Sequence, residues 1–85
     1  MYIIYFTKTA EKQKKLMKAA GLEKKTKELL NIIEKDPFQS PPPYEKSVGD
    51  LKDKYSRRIN ITHRLVYSVE DNIIRVLSMW THYEK

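Results

Sequence analysis

The sequence of 85 residues contains no cysteine, which excludes a disulfide framework and any metal site built on thiolates. It has only two glycines, Gly21 and Gly49, so a glycine-rich loop of the kind that cradles phosphates is also excluded. No apolar run approaches the roughly 20 residues needed to cross a bilayer. The first residues lack the basic region of a signal peptide. These absences predict a soluble cytoplasmic protein with no membrane partner, no metal and no cofactor.

Length and charge limit the kind of site that the chain can build. We expect one domain, residues 1–85, that buries about 60 to 65 % of its unfolded surface on folding. Such a core favours an open groove or a shared interface over a deep cofactor cavity. Lys and Arg outnumber Asp and Glu by 17 to 11, for a net charge of +6. This excess favours polyanionic partners such as RNA, DNA, ribosomes or an acidic inhibitor, although a basic surface without a dedicated partner has the same composition.

The N-terminal half predicts a strand and two helices. Aromatic and β-branched side chains in residues 2–6 indicate a short buried strand. Residues 9–20 contain neither Pro nor Gly and predict a helix that stops at Gly21. One face of a second helix carries Leu22, Thr26, Leu29, Leu30 and Ile33. Pro37 ends this helix because proline disfavours a helical residue before it.

The C-terminal half predicts an irregular segment and then a sheet. Residues 37–50 form a long loop, which in so small a domain is usually functional or disordered. The three consecutive prolines at 41–43 stiffen the backbone and argue against disorder. Alternating side chains predict strands at 55–61, 65–69 and 73–80, with a turn at 70–72. One face of the first of these strands would carry Tyr55, Arg57, Ile59 and Ile61. The order predicts an α+β fold, in which two N-terminal helices pack on one face of a mainly antiparallel sheet.

Few side chains are suited to catalysis. The histidines are His63 and His82, and the irregular segment contains the acid Glu45. Arg64 follows His63 directly, and Tyr83 follows His82. Histidine and carboxylate groups can transfer protons at cytoplasmic pH, and an arginine can hold a phosphate by two-point contact. Taken singly, each is also compatible with an ordinary turn, strand-edge or solvated position, and no spacing indicates metal ligands or a Ser/His/Asp set.

Five ordered sequence blocks resemble the YoeB/Txe toxins. The blocks are residues 42–46 (PPYEK), 49–51 (GDL), 55–61 (YSRRINI), 63–67 (HRLVY) and 79–83 (MWTHY). The resemblance extends roughly over residues 36–84, which is over half of the chain. These toxins belong with the RelE-like ribonucleases, which have an antiparallel sheet packed against two N-terminal helices. The element order predicted above agrees with that fold.

The resemblance implies an endoribonuclease that cleaves messenger RNA in the A site of the small ribosomal subunit and so inhibits translation. It implies that Glu45 is the general base and His82 the general acid. Arg64 would stabilise the transition state, and Tyr83 would help to position the scissile phosphate. The basic residues that would hold RNA phosphates are Lys46, Lys52, Lys54, Arg57 and Arg58. The resemblance also implies a YefM/Phd-type antitoxin with an acidic segment, and a possible homodimer.

The sequence does not show how Arg64 and His82 come close to each other. If the last two strands form a simple hairpin around residues 70–72, Asn60 rather than Arg64 is level with His82. Four residues along a strand correspond to about 13 Å. Either a β-bulge shifts the register, or the C-terminal segment bends back.

Two other functions remain open. A toxin of the ParE kind has the same general fold but binds DNA gyrase, and a non-catalytic module would only bind RNA or an antitoxin. The four candidate catalytic residues favour the ribonuclease, because a gyrase-binding protein has no need of them.

Overall fold

The computed structural model describes residues 2–46 and 54–80. The N-terminal part of the chain forms strand β1 (Ile3–Phe6), helix α1 (Lys8–Ala19) and helix α2 (Glu23–Lys35). The remainder forms strands β2 (Glu45–Lys46), β3 (Lys54–Arg58), β4 (Arg64–Glu70) and β5 (Ile73–Ser78). The predicted order of elements is confirmed, with the short strand β2 as an addition within the segment that was predicted to be irregular.

Local sequence signals explain where the helices begin and end. The Thr7 side chain accepts a hydrogen bond of 3.1 Å from the amide of Ala10 and so caps α1. Gly21 lies between the helices with a φ of +76°, a left-handed conformation that glycine adopts without a steric penalty. Helix α2 ends at Lys35, just before Pro37. Both predicted helices are therefore confirmed, with shifts of one or two residues at their ends.

The five strands form one sheet in the order β1-β5-β4-β3-β2. Strand β1 runs parallel to β5, and the other neighbouring pairs are antiparallel. The sheet is therefore mainly antiparallel, as predicted. Among the described strands, the one parallel pair places the first, β1, beside the last, β5.

Helices α1 and α2 cover one face of the sheet. The buried apolar core consists of Ala10, Met17, Leu29, Ile33, Ile59, Leu65, Tyr67, Ile74, Val76 and Met79. The other face, called the open face here, carries Ile3, Tyr5, Glu45, Lys54, Ser56, Arg58, Arg64, Val66, Ser68, Glu70, Ile73 and Arg75. No helix or strand among residues 2–46 and 54–80 packs across it.

Strand β1 is an edge strand, which corrects the prediction of a buried one. Ile4 and Phe6 pack against the core, whereas Ile3 is 48 % exposed and Tyr5 is 55 % exposed. The physical reason is that the helices cover only one face of the sheet. The side chains of β1 that point to the open face therefore remain in solvent.

Strand β3 ends earlier than predicted, because a tight turn follows it. The amides of Ile59 and Asn60 both donate to the carbonyl oxygen of His63, at 2.9 and 3.3 Å. Ile61 consequently lies in the turn with 95 % of its surface exposed. The prediction that it shares a strand face with Arg57 is wrong.

A β-bulge interrupts the pairing of β4 with β5. Tyr67 pairs with Val76, but its neighbour Val66 pairs with Ser78, so Leu77 is an extra residue in β5. The bulge shifts the pairing of β4 with β5 by one residue. Beyond Leu77, each side chain of β5 therefore lies on the opposite face from the one that unbroken alternation would give it. As a result Met79 enters the core. A bulge was one of the two solutions that the sequence left open.

Candidate functional site

Glu45 lies at the edge of the sheet on the two-residue strand β2. It pairs with Ser56 of β3, which in turn pairs with Val66 of β4. In the next row along these strands, Arg58 pairs with Arg64. Side chains in neighbouring rows on one face of a sheet lie close enough for long side chains to meet. Residues from three strands therefore converge on one corner of the open face.

Arg64 donates a hydrogen bond from Nη1 to Oε1 of Glu45 at 3.3 Å, which makes the two side chains an ion pair. The Glu45 side chain is 72 % exposed and that of Arg64 is 33 % exposed. A pair this open to solvent contributes only about 0–1 kcal/mol to stability. Both groups are accessible to a ligand.

A groove of about 230 Å³ surrounds this ion pair. Its lining consists of Pro43, Tyr44, Glu45, Ser56, Arg58 and Arg64. The groove thus combines a carboxylate, two guanidinium groups and an aromatic ring. Such a combination can bind a phosphate and accept a proton from a group beside it.

The buried side chain of Arg57 fixes the loop that leads into β2. Arg57 is only 1 % exposed. Its Nη1 donates to the carbonyl oxygen of Pro42 at 2.7 Å, and its Nη2 donates to those of Pro37 and Gln39 at 3.0 and 2.9 Å. Its Nε donates to the hydroxyl oxygen of Tyr67 at 3.1 Å. One guanidinium group therefore holds residues 37–42 against the sheet.

This burial contradicts the expectation that Arg57 contacts RNA phosphates. The guanidinium group is turned away from the open face, and its donors are already bound to atoms of the protein. The sequence did contain the relevant signal, because alternation places Arg57 on the same strand face as Tyr55 and the buried Ile59. Its role as an anchor of the loop was missed.

Burial raises the pKa of the Tyr67 hydroxyl, and the hydrogen bond from Arg57 lowers that pKa in part. The hydroxyl also donates to the carbonyl oxygen of Pro37 at 2.7 Å. Aromatic contacts extend this anchor, because Tyr55 lies with its ring centroid 5.8 Å from that of Tyr67 and 5.9 Å from that of Tyr44. The residue next to Glu45 is therefore packed against the same cluster.

The other predicted RNA-binding residues differ in position. Arg58 is exposed and Lys54 half-buried, and both belong to the open face with Glu45. Lys46 is exposed but pairs with Tyr55, so it belongs to the opposite face of β2. Lys52 lies outside the described residues.

His82 and Tyr83 also lie outside the described residues. The chain is described as far as Trp80, whose ring stacks on that of His63 with centroids 4.1 Å apart and an interplanar angle of 24°. The Gln13 side chain accepts hydrogen bonds from the amides of Met79 and Trp80, at 2.7 and 3.2 Å. The polypeptide is therefore held beside the start of β4, two residues before His82.

The described residues contain no group of three or more His, Asp or Glu side chains arranged to hold a metal ion. No helix among them is long and apolar enough to cross a membrane.

Comparison with known proteins places the chain among bacterial toxins. Residues 5–83 match the family described as YoeB-like toxin of bacterial type II toxin-antitoxin system. Toxin YoeB of Synechocystis sp. is 35 % identical over 75 residues, which cover 88 % of this chain and 80 % of that protein. A chain of the YoeB-YefM complex from Staphylococcus aureus has a TM-score of 0.82 and 36 % identity, over 98 % of this chain and 99 % of that one. A YoeB dimer from the same organism gives a TM-score of 0.83 and 36 % identity, over 96 % and 98 % of the two chains.

The sequence match extends over most of the chain, and both solved structures share the arrangement of two helices packed on a mixed five-stranded sheet. The predicted RelE/YoeB-like fold is thereby confirmed. The chain belongs to the YoeB-like toxin family of bacterial type II toxin-antitoxin systems.

Proposed function

We propose that this toxin is an endoribonuclease that cleaves messenger RNA in the A site of cytoplasmic ribosomes and so inhibits translation. The observation that carries the proposal is the exposed ion pair of Glu45 and Arg64 in an open groove beside Arg58. The carboxylate and the guanidinium group supply two of the three functions that metal-free RNA cleavage requires. These functions are a base, a cation for the developing phosphate charge, and an acid for the leaving oxygen.

Glu45 takes the proton of the 2′-hydroxyl as its oxygen attacks the adjacent phosphorus. Arg64 holds the phosphate oxygens and stabilises the negative charge that builds on them. In the free protein Arg64 is bonded to Glu45. An arriving phosphate competes for that guanidinium group and releases the carboxylate to act as the base. Positioned proton transfer contributes about 10²- to 10⁴-fold to the rate.

His82 and Tyr83 complete the proposed site. His82 donates a proton to the departing 5′-oxygen as the bond from phosphorus to that oxygen breaks, and Tyr83 helps to position the phosphate. The products are a 2′,3′-cyclic phosphate and a 5′-hydroxyl end. The anchoring of Trp80 by Gln13 and His63 supports this assignment, since it holds the preceding residues close to Arg64. DNA lacks the 2′-hydroxyl and cannot follow this route.

Basic residues around the site hold the RNA backbone. Arg58 and Lys54 share the open face with the ion pair, and we assign them to phosphates on either side of the cleaved bond. We also assign Lys46 and Lys52, which are close to Glu45 in the sequence, to RNA phosphates, with Lys46 acting from the opposite face of β2. Contacts of this kind carry little sequence preference.

We further propose that a YefM/Phd-type antitoxin binds and inhibits this toxin. The related toxin from Staphylococcus aureus is found in a complex with YefM, and the net charge of +6 on this chain suits an acidic antitoxin segment. A homodimer is proposed on the same basis, because a YoeB dimer is among the solved relatives.

The deciding experiment adds purified toxin to translating ribosomes that carry an end-labelled message, and maps the new 5′ ends. The Glu45→Gln variant removes the base with little change in shape, and Glu70→Gln is its matched control on a distant part of the open face. We expect cleavage only of ribosome-bound message. We expect a loss of at least about 100-fold in rate for Glu45→Gln and wild-type activity for Glu70→Gln.

A message that stays intact with wild-type toxin refutes the ribonuclease proposal. Assaying the supercoiling activity of DNA gyrase in the presence of the toxin then tests the ParE-like alternative. A His82→Gln variant that cleaves at the wild-type rate would leave the enzyme in place but remove His82 from the mechanism.

A further inference from the structure

An exposed aromatic ring lies on the open face at the edge opposite to Glu45. Tyr5 of β1 is 55 % exposed, and Ile3, two residues before it on the same strand face, is 48 % exposed. Ile73, which pairs with Ile3, is half-buried. A large aromatic side chain therefore presents its surface to solvent on a face that no described element covers.

Strand pairing connects this ring to the proposed active site. Tyr5 pairs with Arg75 of β5, Arg75 with Ser68 of β4, and Ser68 with Lys54 of β3. This row crosses four strands and lies directly beside the row that contains Glu45. Because neighbouring strands are about 4.8 Å apart, Tyr5 lies about 19 Å across the sheet from Glu45. The two positions are therefore the ends of one continuous surface.

The positive charge of this surface favours a polyanion as its ligand. Lys54, Arg58, Arg64 and Arg75 contribute four cations to the strands of the open face. The acids there are Glu45 and Glu70, and Glu45 is already paired with Arg64. A protein partner would contact the apolar residues Ile3, Tyr5 and Ile73 and would not need the cations. A strand of RNA would contact both the Tyr5 ring and the cations.

Single-stranded RNA fits this combination better than a duplex. The bases of a single strand can turn outward and stack on aromatic rings, while cations beside the rings hold the phosphates. Stacking tolerates any base, because every base has a π-face. A sheet face with an exposed aromatic ring and four cations has the features of such a platform.

We propose that Tyr5 and Arg75 form a second RNA-binding site, at which a base of the message stacks on the Tyr5 ring while Arg75 contacts its phosphate. This proposal rests on the proposed ribonuclease function and adds to it the path that the RNA takes across the sheet. The message runs from the groove at Glu45 and Arg64 across β4 and β5 to β1.

The test measures binding separately from cleavage. A fluorescent single-stranded RNA oligonucleotide, with 2′-O-methyl sugars at every position so that it cannot be cleaved, is titrated with toxin while anisotropy is recorded. We expect Tyr5→Ser to weaken binding by about 5- to 150-fold, since stacking contributes this much per base. Tyr5→Phe should bind like the wild type, because phenylalanine keeps the stacking surface. Ile3→Ser is the matched control on the same strand face and should also bind normally.

Three outcomes overturn the proposal. The first is a wild-type toxin that does not bind the oligonucleotide, and the second is a Tyr5→Ser variant with unchanged affinity and a normal thermal melt. The third is that Tyr5→Ser and Ile3→Ser both change the molecular mass in solution but not RNA affinity, which would make the patch a protein interface. Weaker binding by Tyr5→Ser, together with no cleavage of ribosome-bound message by the wild type, would support this site while refuting the ribonuclease.

Discussion

Arg57 directs four hydrogen bonds into the protein, three of them to carbonyl oxygens of residues 37–42. No carboxylate among the described residues forms an ion pair with it. Burying a charge is costly unless its donors are satisfied, and here backbone carbonyls and the Tyr67 hydroxyl satisfy them. The position of the loop, and so of Glu45, depends on this one side chain.

Replacing Arg57 should therefore destabilise the fold. We expect Arg57→Met to lower the free energy of unfolding by about 2–4 kcal/mol, because it leaves several buried carbonyl oxygens without donors. Its exposed neighbour is the control, and Arg58→Met should change the stability by less than about 0.5 kcal/mol. Urea denaturation followed by circular dichroism measures both. Equal stability of the two variants would contradict this account.

Tyr67 should make the free energy of unfolding depend on pH in the alkaline range. Its pKa is raised by burial, so the unfolded chain releases the phenolic proton at a lower pH than the folded one. Tyr67 makes its full contribution to the free energy of unfolding below about pH 10, the ordinary pKa of tyrosine. This contribution is lost as the pH rises from there through the higher pKa of the folded state. Tyr67→Phe should remove this loss and should cost about 1–3 kcal/mol at neutral pH. Denaturation curves of both proteins at pH 8 to 11 test this, and parallel pH profiles would refute it.

At the scale of elements, helix α1 holds the end of strand β5. The Thr7 hydroxyl donates to the carbonyl oxygen of Leu77, the extra residue of the bulge, at 3.1 Å. Further along α1, the Gln13 side chain accepts hydrogen bonds from the amides of Met79 and Trp80. The bulge would otherwise leave polar backbone groups without partners. The helix thus fixes the direction in which the chain proceeds toward His82.

Gln13 should therefore influence cleavage without touching the RNA. We expect Gln13→Leu to slow cleavage of ribosome-bound message by about 10-fold, since even a small misplacement of a catalytic group is costly. Gln13→Glu keeps an acceptor oxygen and should restore most of the rate. Hydrogen exchange of the Met79 and Trp80 amides should become faster in Gln13→Leu alone. Slow exchange in that variant would exclude the proposed anchoring.

The sequence predicted the elements that depend on local signals. The helices followed from apolar periodicity with a stop at Gly21 and another before Pro37, and the turn after β4 followed from residues 70–72. The parallel pairing of β1 with β5 could not be predicted, since no local signal encodes contact between strands so far apart in the chain. Strand β2 was missed because two residues are too few for a periodicity.

The candidate site could be predicted from the sequence only in part. Resemblance identified Glu45 and Arg64, and the structure brings these two residues together across 19 positions of the chain. The burial of Arg57 could have been inferred from strand alternation. The hydrogen bonds of Gln13 could not, because they join a helix to a strand end through the bulge.

On the scale of the whole molecule, positive charge should govern the encounter with RNA. Binding of single strands weakens with salt in proportion to the number of phosphates neutralised, with a slope of about −0.7 per contact. Arg58→Gln should reduce the slope of log affinity against log salt by about this amount. Lys24→Gln on helix α2, away from the open face, should leave the slope unchanged. Anisotropy titrations at several salt concentrations distinguish the two variants, and equal slopes would argue against binding at the open face.

The position of β5 in the sheet has a consequence for how the toxin comes into being. This strand is the last to be synthesised among those described, yet it lies between β1 and β4 and supplies Ile74 and Val76 to the core. While residues 73–78 are still inside the translating ribosome, β1 has no partner strand and one edge of β4 is unpaired. The nascent chain therefore cannot assemble this sheet, or the groove built on it, until residues 73–78 have left the ribosome.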